Sequence, residues 1–96
     1  MADPLTDAEL QSALDELDAW EFEDDKLTTT YEFTDFRAAI SFLVRMSYYA
    51  EDMNHHPEIE NVYNTVHLAL TTHDAGGKVT EKDVELARQI EDFVWV

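Results

Sequence analysis

The apolar residues of this chain change their spacing four times, and few folds accommodate that succession. Leu10, Ala13, Leu14 and Leu17 recur at i, i+3, i+4 and i+7, one stripe of a helix. From Trp20 to Phe33 the period drops to two. Trp20 and Phe22, then Leu27, Thr29, Tyr31 and Phe33, alternate around the acidic turn Asp24-Asp25, as in two antiparallel strands. Helical spacing returns in Phe36, Ala39, Ile40, Leu43, Ser47 and Ala50. It is lost again where Val62-Tyr63 reads as a short strand and Thr65 to Thr72 as a longer one. Val66, Leu68 and Leu70 share one face of that longer strand, with His67, Ala69 and Thr71 on the other. A last helix gathers Val84, Ala87, Ile90 and one of Phe93 and Val94.

Local signals agree with the periods. Thr6 and Glu9 form a capping box, with Leu5 and Leu10 where a hydrophobic staple sits. Thr34 or Asp35 caps the second helix, which must end before Pro57 because the residue before a proline avoids helical geometry. Asp74-Ala75-Gly76-Gly77 supplies a turn, and Thr80 with Asp83 repeats the box, so Asp83 is read as a helix-start residue rather than a catalytic one. The order α-β-β-α-β-β-α implies an α+β fold: a four-stranded antiparallel sheet with three helices packed on one face, a single domain over residues 1–96. The other face or an edge of the sheet is left for a second subunit, so at least a dimer is expected.

Charge narrows the function. The chain has 22 acidic residues against 6 basic ones, a formal net charge of -16. Binding a phosphate backbone needs Lys and Arg to displace counterions, so nucleic acid is not an expected partner. The self-repulsion falls away at molar salt, where the Debye length is about 3 Å, and the balance reads as adaptation to a salty, halophilic cytoplasm. There is no cysteine for a disulfide or thiolate metal site, no signal-peptide pattern, and no apolar run near the roughly 20 residues that cross a bilayer. A cytoplasmic protein without membrane attachment is expected.

Chemistry concentrates in three imidazoles: the adjacent pair His55-His56, followed by Pro57, and His73 at the end of the long strand. Histidine exchanges protons near neutrality, with an unperturbed pKa of about 6.5. Adjacent side chains project differently, so the pair lines two walls of a pocket more readily than it shares a metal, and no metal site is assigned. Glu51, one helical turn before His55, can orient an imidazole. No nucleophile signature accompanies these residues. His67 reads as a hydrogen-bonding residue on a strand face, and Tyr63 and Trp20 as core or pocket wall.

At these residues the chain resembles the pterin-4a-carbinolamine dehydratases, also called 4a-hydroxytetrahydrobiopterin dehydratases. The family's acidic residue, His-His-Pro, aromatic residue, second histidine and later aspartate stand here as Glu51, His55-His56-Pro57, Tyr63, His73 and Asp83. The likeness extends through Asn61-Val62-Tyr63-Asn64, Val66-His67 and Thr71-Thr72-His73, and back to Trp20 and the stretch from Phe33 to Phe36. It implies loss of water from a 4a-hydroxytetrahydropterin, giving quinonoid dihydropterin for an aromatic amino-acid hydroxylase, with no metal or bound cofactor. On that resemblance His55 and His73 handle the protons and His56 holds the pterin, while Pro57, Thr72, Asp74 and Ala75 contact it. Many members carry Asp where this chain has Asn54, so an amide stands in for an orienting charge. Some members also serve as dimerisation cofactors of a transcription factor. An interaction module, or a dehydratase-like protein for another pterin such as a molybdopterin-related compound, is the alternative, and the assembly implied is a homodimer or homotetramer.

Overall fold

The structure, a computed structural model, describes residues 3–95. Helix α1 (Asp7–Glu16) starts at the Thr6–Glu9 box, both of whose reciprocal bonds are made. Strands β1 (Glu21–Glu23) and β2 (Lys26–Glu32) follow, joined by a tight turn with Asp24 and Asp25 both at positive φ, 52° and 61°. A two-residue turn of that hand matches the natural twist of a hairpin. Helix α2 (Phe36–Asp52) is capped by the Asp35 carboxylate, which accepts from the Ala38 N–H at 2.8 Å. Strands β3 (Glu58–Val62) and β4 (Thr65–Leu70) form a second hairpin. A 3-10 turn (His73–Ala75) then leads to α3 (Glu81–Phe93). The element order is the one the periods require.

All strands pair antiparallel in the order β1-β2-β4-β3, so β2 and β4 are the inner strands and the two hairpins join along the β2–β4 pairing. Val66, Leu68 and Leu70 face the helices and are fully buried with Leu27, Phe42, Leu86 and Ile90. At about 1.5–3 kcal/mol for each large side chain taken from water, this layer carries most of the fold's stability. Trp20 and Tyr31 also lie inside, and both donate to one Glu91 carboxylate oxygen, at 3.1 and 2.5 Å. Burial, then the bond to Glu91, pushes the Tyr31 phenol far above its ordinary range. The opposite sheet face carries Glu21, Glu23, Glu32, Glu58 and Glu60, paired in register with Lys26, Thr28, Thr65, His67 and Ala69.

Strand β3 lies earlier than the Val62-Tyr63 expected of it and β4 stops at Leu70 rather than Thr72, and three further details differ from the sequence reading. The stripe of α2 is rotated. Ala39, Phe42, Met46 and Ala50 face the core, while Phe36 and Ile40 are 51% and 37% exposed and Ser47 is also outside. This helix has apolar residues nearly all round, so periodicity alone could not decide which set the sheet would take. Tyr63 lies beyond β3 in the hairpin turn at φ 51°, exposed rather than in the core or a pocket wall, because a two-residue connection needs a left-handed residue. Thr71 is buried although it follows the open-face positions, its hydroxyl donating to the Asp25 carbonyl at 3.2 Å.

Candidate active site

The site forms where α2 ends against the segment that leaves β4. Met53 closes the helix, and Asn54 follows in the left-handed region at φ 49°. The Asn54 N–H donates to the Glu51 carbonyl and the His55 N–H reaches back to Ala50, each at 3.0 Å. These are the paired bonds of a Schellman motif. The chain thereby reverses, so that His55 points inward and His56 outward.

His55 is only 8% exposed, and its Nε2 lies 2.5 Å from Oδ1 of Asp83, a residue with no exposure at all. The other oxygen of Asp83 accepts from the Thr80 N–H and from the Thr72 hydroxyl, each at 2.8 Å. The Thr72 proton is thus committed to Asp83. The Thr80 hydroxyl, 2.7 Å from Thr72 Oγ1, must donate there, while its own oxygen accepts from the Lys82 N–H. With every partner of Asp83 donating, His55 carries its proton on Nε2 and leaves Nδ1 as the unshared nitrogen. No buried polar side-chain atom among the described residues lacks a partner.

His56 behaves differently. Its Nε2 meets Glu51 Oε1 at 2.7 Å on the surface, with the two side chains 59% and 79% exposed. The carboxylate that the sequence places one turn before His55 therefore serves the second histidine, five residues on, because the reversal at Asn54 carries His55 away. His73 opens the 3-10 turn, is exposed, and its ring has no hydrogen-bond partner.

A hollow of about 230 Å3 is lined by Asn54, all three of these histidines, Thr71, Thr72, Asp74 and Lys82. The structure thus brings together His55, His56, His73, Asn54, Thr72 and Asp74. Pro57 and Glu51 line an adjoining apolar groove of about 520 Å3 with Met46, Ala50 and Ile59, which His56 shares, and Ala75 lines neither. Lys82 and Thr71 line the hollow without having been expected there, and Asp83, expected at the helix start and in the family pattern but not as a catalytic residue, lies buried against His55. Asp83 carries two sequence signals, its capping position and its place in the family pattern, and neither names His55 as its partner. Lys82 left none. His67 lies on the open sheet face against Thr30, at 2.9 Å. Among the described residues no group of three or more His, Cys, Asp or Glu side chains is arranged to hold a metal ion. The two paired rings each turn a nitrogen to a different carboxylate.

What these parts define is an α+β domain with a small hollow lined by histidine and hydroxyl groups. Comparison gives it a family: the model for "Pterin 4 alpha carbinolamine dehydratase" matches residues 3–93, and the chain belongs to that family, whose named members are hydro-lyases. It is 56% identical over 92 residues to a protein of Opitutus terrae provisionally named pterin-4-alpha-carbinolamine dehydratase, covering 96% of this chain and 95% of that one. A protein of Thermomicrobium roseum with the same provisional name is 48% identical over 89 residues, covering 93% and 95%. A crystal structure from Brucella melitensis, titled as a transcriptional coactivator/pterin dehydratase, superposes with a TM-score of 0.88 at 38% identity, covering 93% of this chain and 96% of that one.

Proposed function

We propose that this protein removes water from a 4a-hydroxytetrahydropterin to give the quinonoid dihydropterin, with its histidines as general acid and base. The observation that carries the reading is the unequal state of two rings in one hollow: His55 held by a buried carboxylate, His73 unpartnered. Loss of water needs a proton delivered to the C4a hydroxyl and another taken from N5 as the C=N bond forms, with no change of oxidation state. His55 presents Nδ1 while Asp83 stabilises the imidazolium that forms when it accepts a proton. His73 rotates freely enough to protonate the leaving oxygen. The two exchange roles when the hydroxyl leaves from the other face, and His56 orients the ring. Thr72 and Asp74 offer polar contacts at the edge. A hollow below the roughly 300–1,000 Å3 of drug-sized pockets suits one flat bicyclic group.

The test is turnover of synthetic 4a-hydroxytetrahydropterin at molar salt, followed by absorbance. His73→Ala lowers kcat by about 100-fold or more while circular dichroism stays unchanged. A folded parent chain that leaves this pterin untouched points instead to another pterin or to an interaction module. Turnover would link the protein to the hydroxylase that makes such carbinolamines.

We also read the functional unit as a homodimer or homotetramer in a salt-rich cytoplasm. No helix among the described residues is long and apolar enough to cross a membrane. Residues 36–50 include no acid in a chain that has 22, and Phe36, Ile40, Val44 and Tyr48 form an exposed ridge along that helix. The open sheet face is acidic, so α2 is the surface on which like-charged copies meet with least repulsion. Val44→Glu should lower the mass measured by light scattering to that of a smaller species.

A further inference from the structure

The reversal that separates the two adjacent histidines rests on one residue whose side chain makes no hydrogen bond. We propose that Asn54 is a positioning residue for His55, contributing the left-handed backbone it tolerates rather than its amide, an inference that rests on the dehydratase reading for its kinetic consequence.

Asn54 lies at φ 49°, a region that Gly enters freely, Asn and Asp with little difficulty, and β-branched residues hardly at all. That geometry aligns the two 3.0 Å bonds closing α2, and His55 is the residue whose N–H makes the second of them. The histidine is thereby thrown from the helix surface into the interior, where Asp83 lies 28 residues further along the chain. Were the helix to continue one residue, its 3.6-residue turn would carry His55 about 100° round the axis and break the pair. Pro57 completes the device by confining His56 to extended backbone, which turns that ring back towards Glu51. The amide lines the hollow but is bound to nothing in the protein, so an orienting charge is not what this position supplies. Asp shares the tolerance for this backbone, so an acid at this position would leave the turn intact.

The experiment compares full-length Asn54→Gly, Asn54→Asp and Asn54→Val. Its readouts are kcat and KM for the carbinolamine, and the ring Nε2–H signal of His55 in a 1H–15N correlation spectrum. Gly and Asp should keep kcat within about 3-fold and the ring signal in place, whereas Val lowers kcat by about 10-fold or more with KM little changed and displaces the signal. If Val does not fold, Asn54→Ala should show the same pattern in milder form against Gly. A Gly variant as impaired as Val would overturn the proposal in favour of the amide, and a harmless Val or Ala would overturn it by showing that the turn needs no left-handed residue. If the parent chain turns over no pterin, the dehydratase reading fails, and the ring signal alone still decides the role of Asn54.

Discussion

Two helices of this protein begin with the same local device, and only one of them reaches the site. At α1, Thr6 and Glu9 exchange bonds of 2.9 and 3.1 Å on the surface and do nothing else. At α3, Thr80 and Asp83 make the reciprocal box in the interior, and the carboxylate left over from capping holds His55 and Thr72. The difference is burial. An exposed box competes with water and is worth about a kcal/mol. A buried carboxylate must be satisfied from every direction or it destabilises the fold, so capping is one of several bonds that Asp83 must make.

Replacing Asp83 should break the contrast most sharply. Asp83→Asn keeps the volume but puts an amide against His55, disturbing the tautomer that leaves Nδ1 available, and kcat should fall by about 100-fold or more in the dehydration assay. Asp83→Ala should add a stability loss of roughly 3–5 kcal/mol in urea unfolding, because the groups it satisfied stay buried. Thr72→Val, which removes the hydroxyl between Thr80 and Asp83, should have an intermediate effect, about 1–3 kcal/mol on stability with a smaller fall in kcat. Glu51→Gln tests the surface pair that imitates the buried one. It should leave stability within about 1 kcal/mol and kcat within about 3-fold, since exposed ion pairs contribute little and are screened by salt.

Glu9→Gln should be the mildest change and sharpens the contrast through pH. The Thr6 backbone N–H, and after it the Thr6 hydroxyl, hold the Glu9 carboxyl below its ordinary range. A group depressed in the folded state adds stability above its unfolded pKa, about 4.3, and that contribution disappears as pH falls through the folded value. Thermal melts of parent and variant should therefore differ slightly at neutral pH and converge in acid.

Much of this was legible in the sequence because the deciding interactions are local. Both capping boxes, the strand alternation of Val66, Leu68 and Leu70, and the end of α2 before Pro57 are set within a few residues, and the structure has them where the pattern places them. What stayed hidden depends on distant partners. Nothing near Asp83 indicates His55, which lies 28 residues away in the chain. Glu51 stands one turn before His55 only on a helix that continues, and the left-handed residue at Asn54 gives its carboxylate to His56 instead. The choice between Phe42 and Met46 on one side of α2 and Phe36 and Ile40 on the other was made by the sheet, not by the helix. Tyr63 has the aromatic character of a core residue, but its place in a two-residue turn puts it outside.

The position of β4 has a consequence for how the site moves. That strand is hydrogen-bonded on both sides, so its amides should be among the slowest to exchange with solvent deuterium, and the segment bearing Thr72 and His73 leaves directly from its end. His56 instead sits on a surface turn beside the edge strand. One wall of the hollow is therefore tied to a doubly paired strand, and the amides of the other, on the surface turn at His56, should exchange sooner.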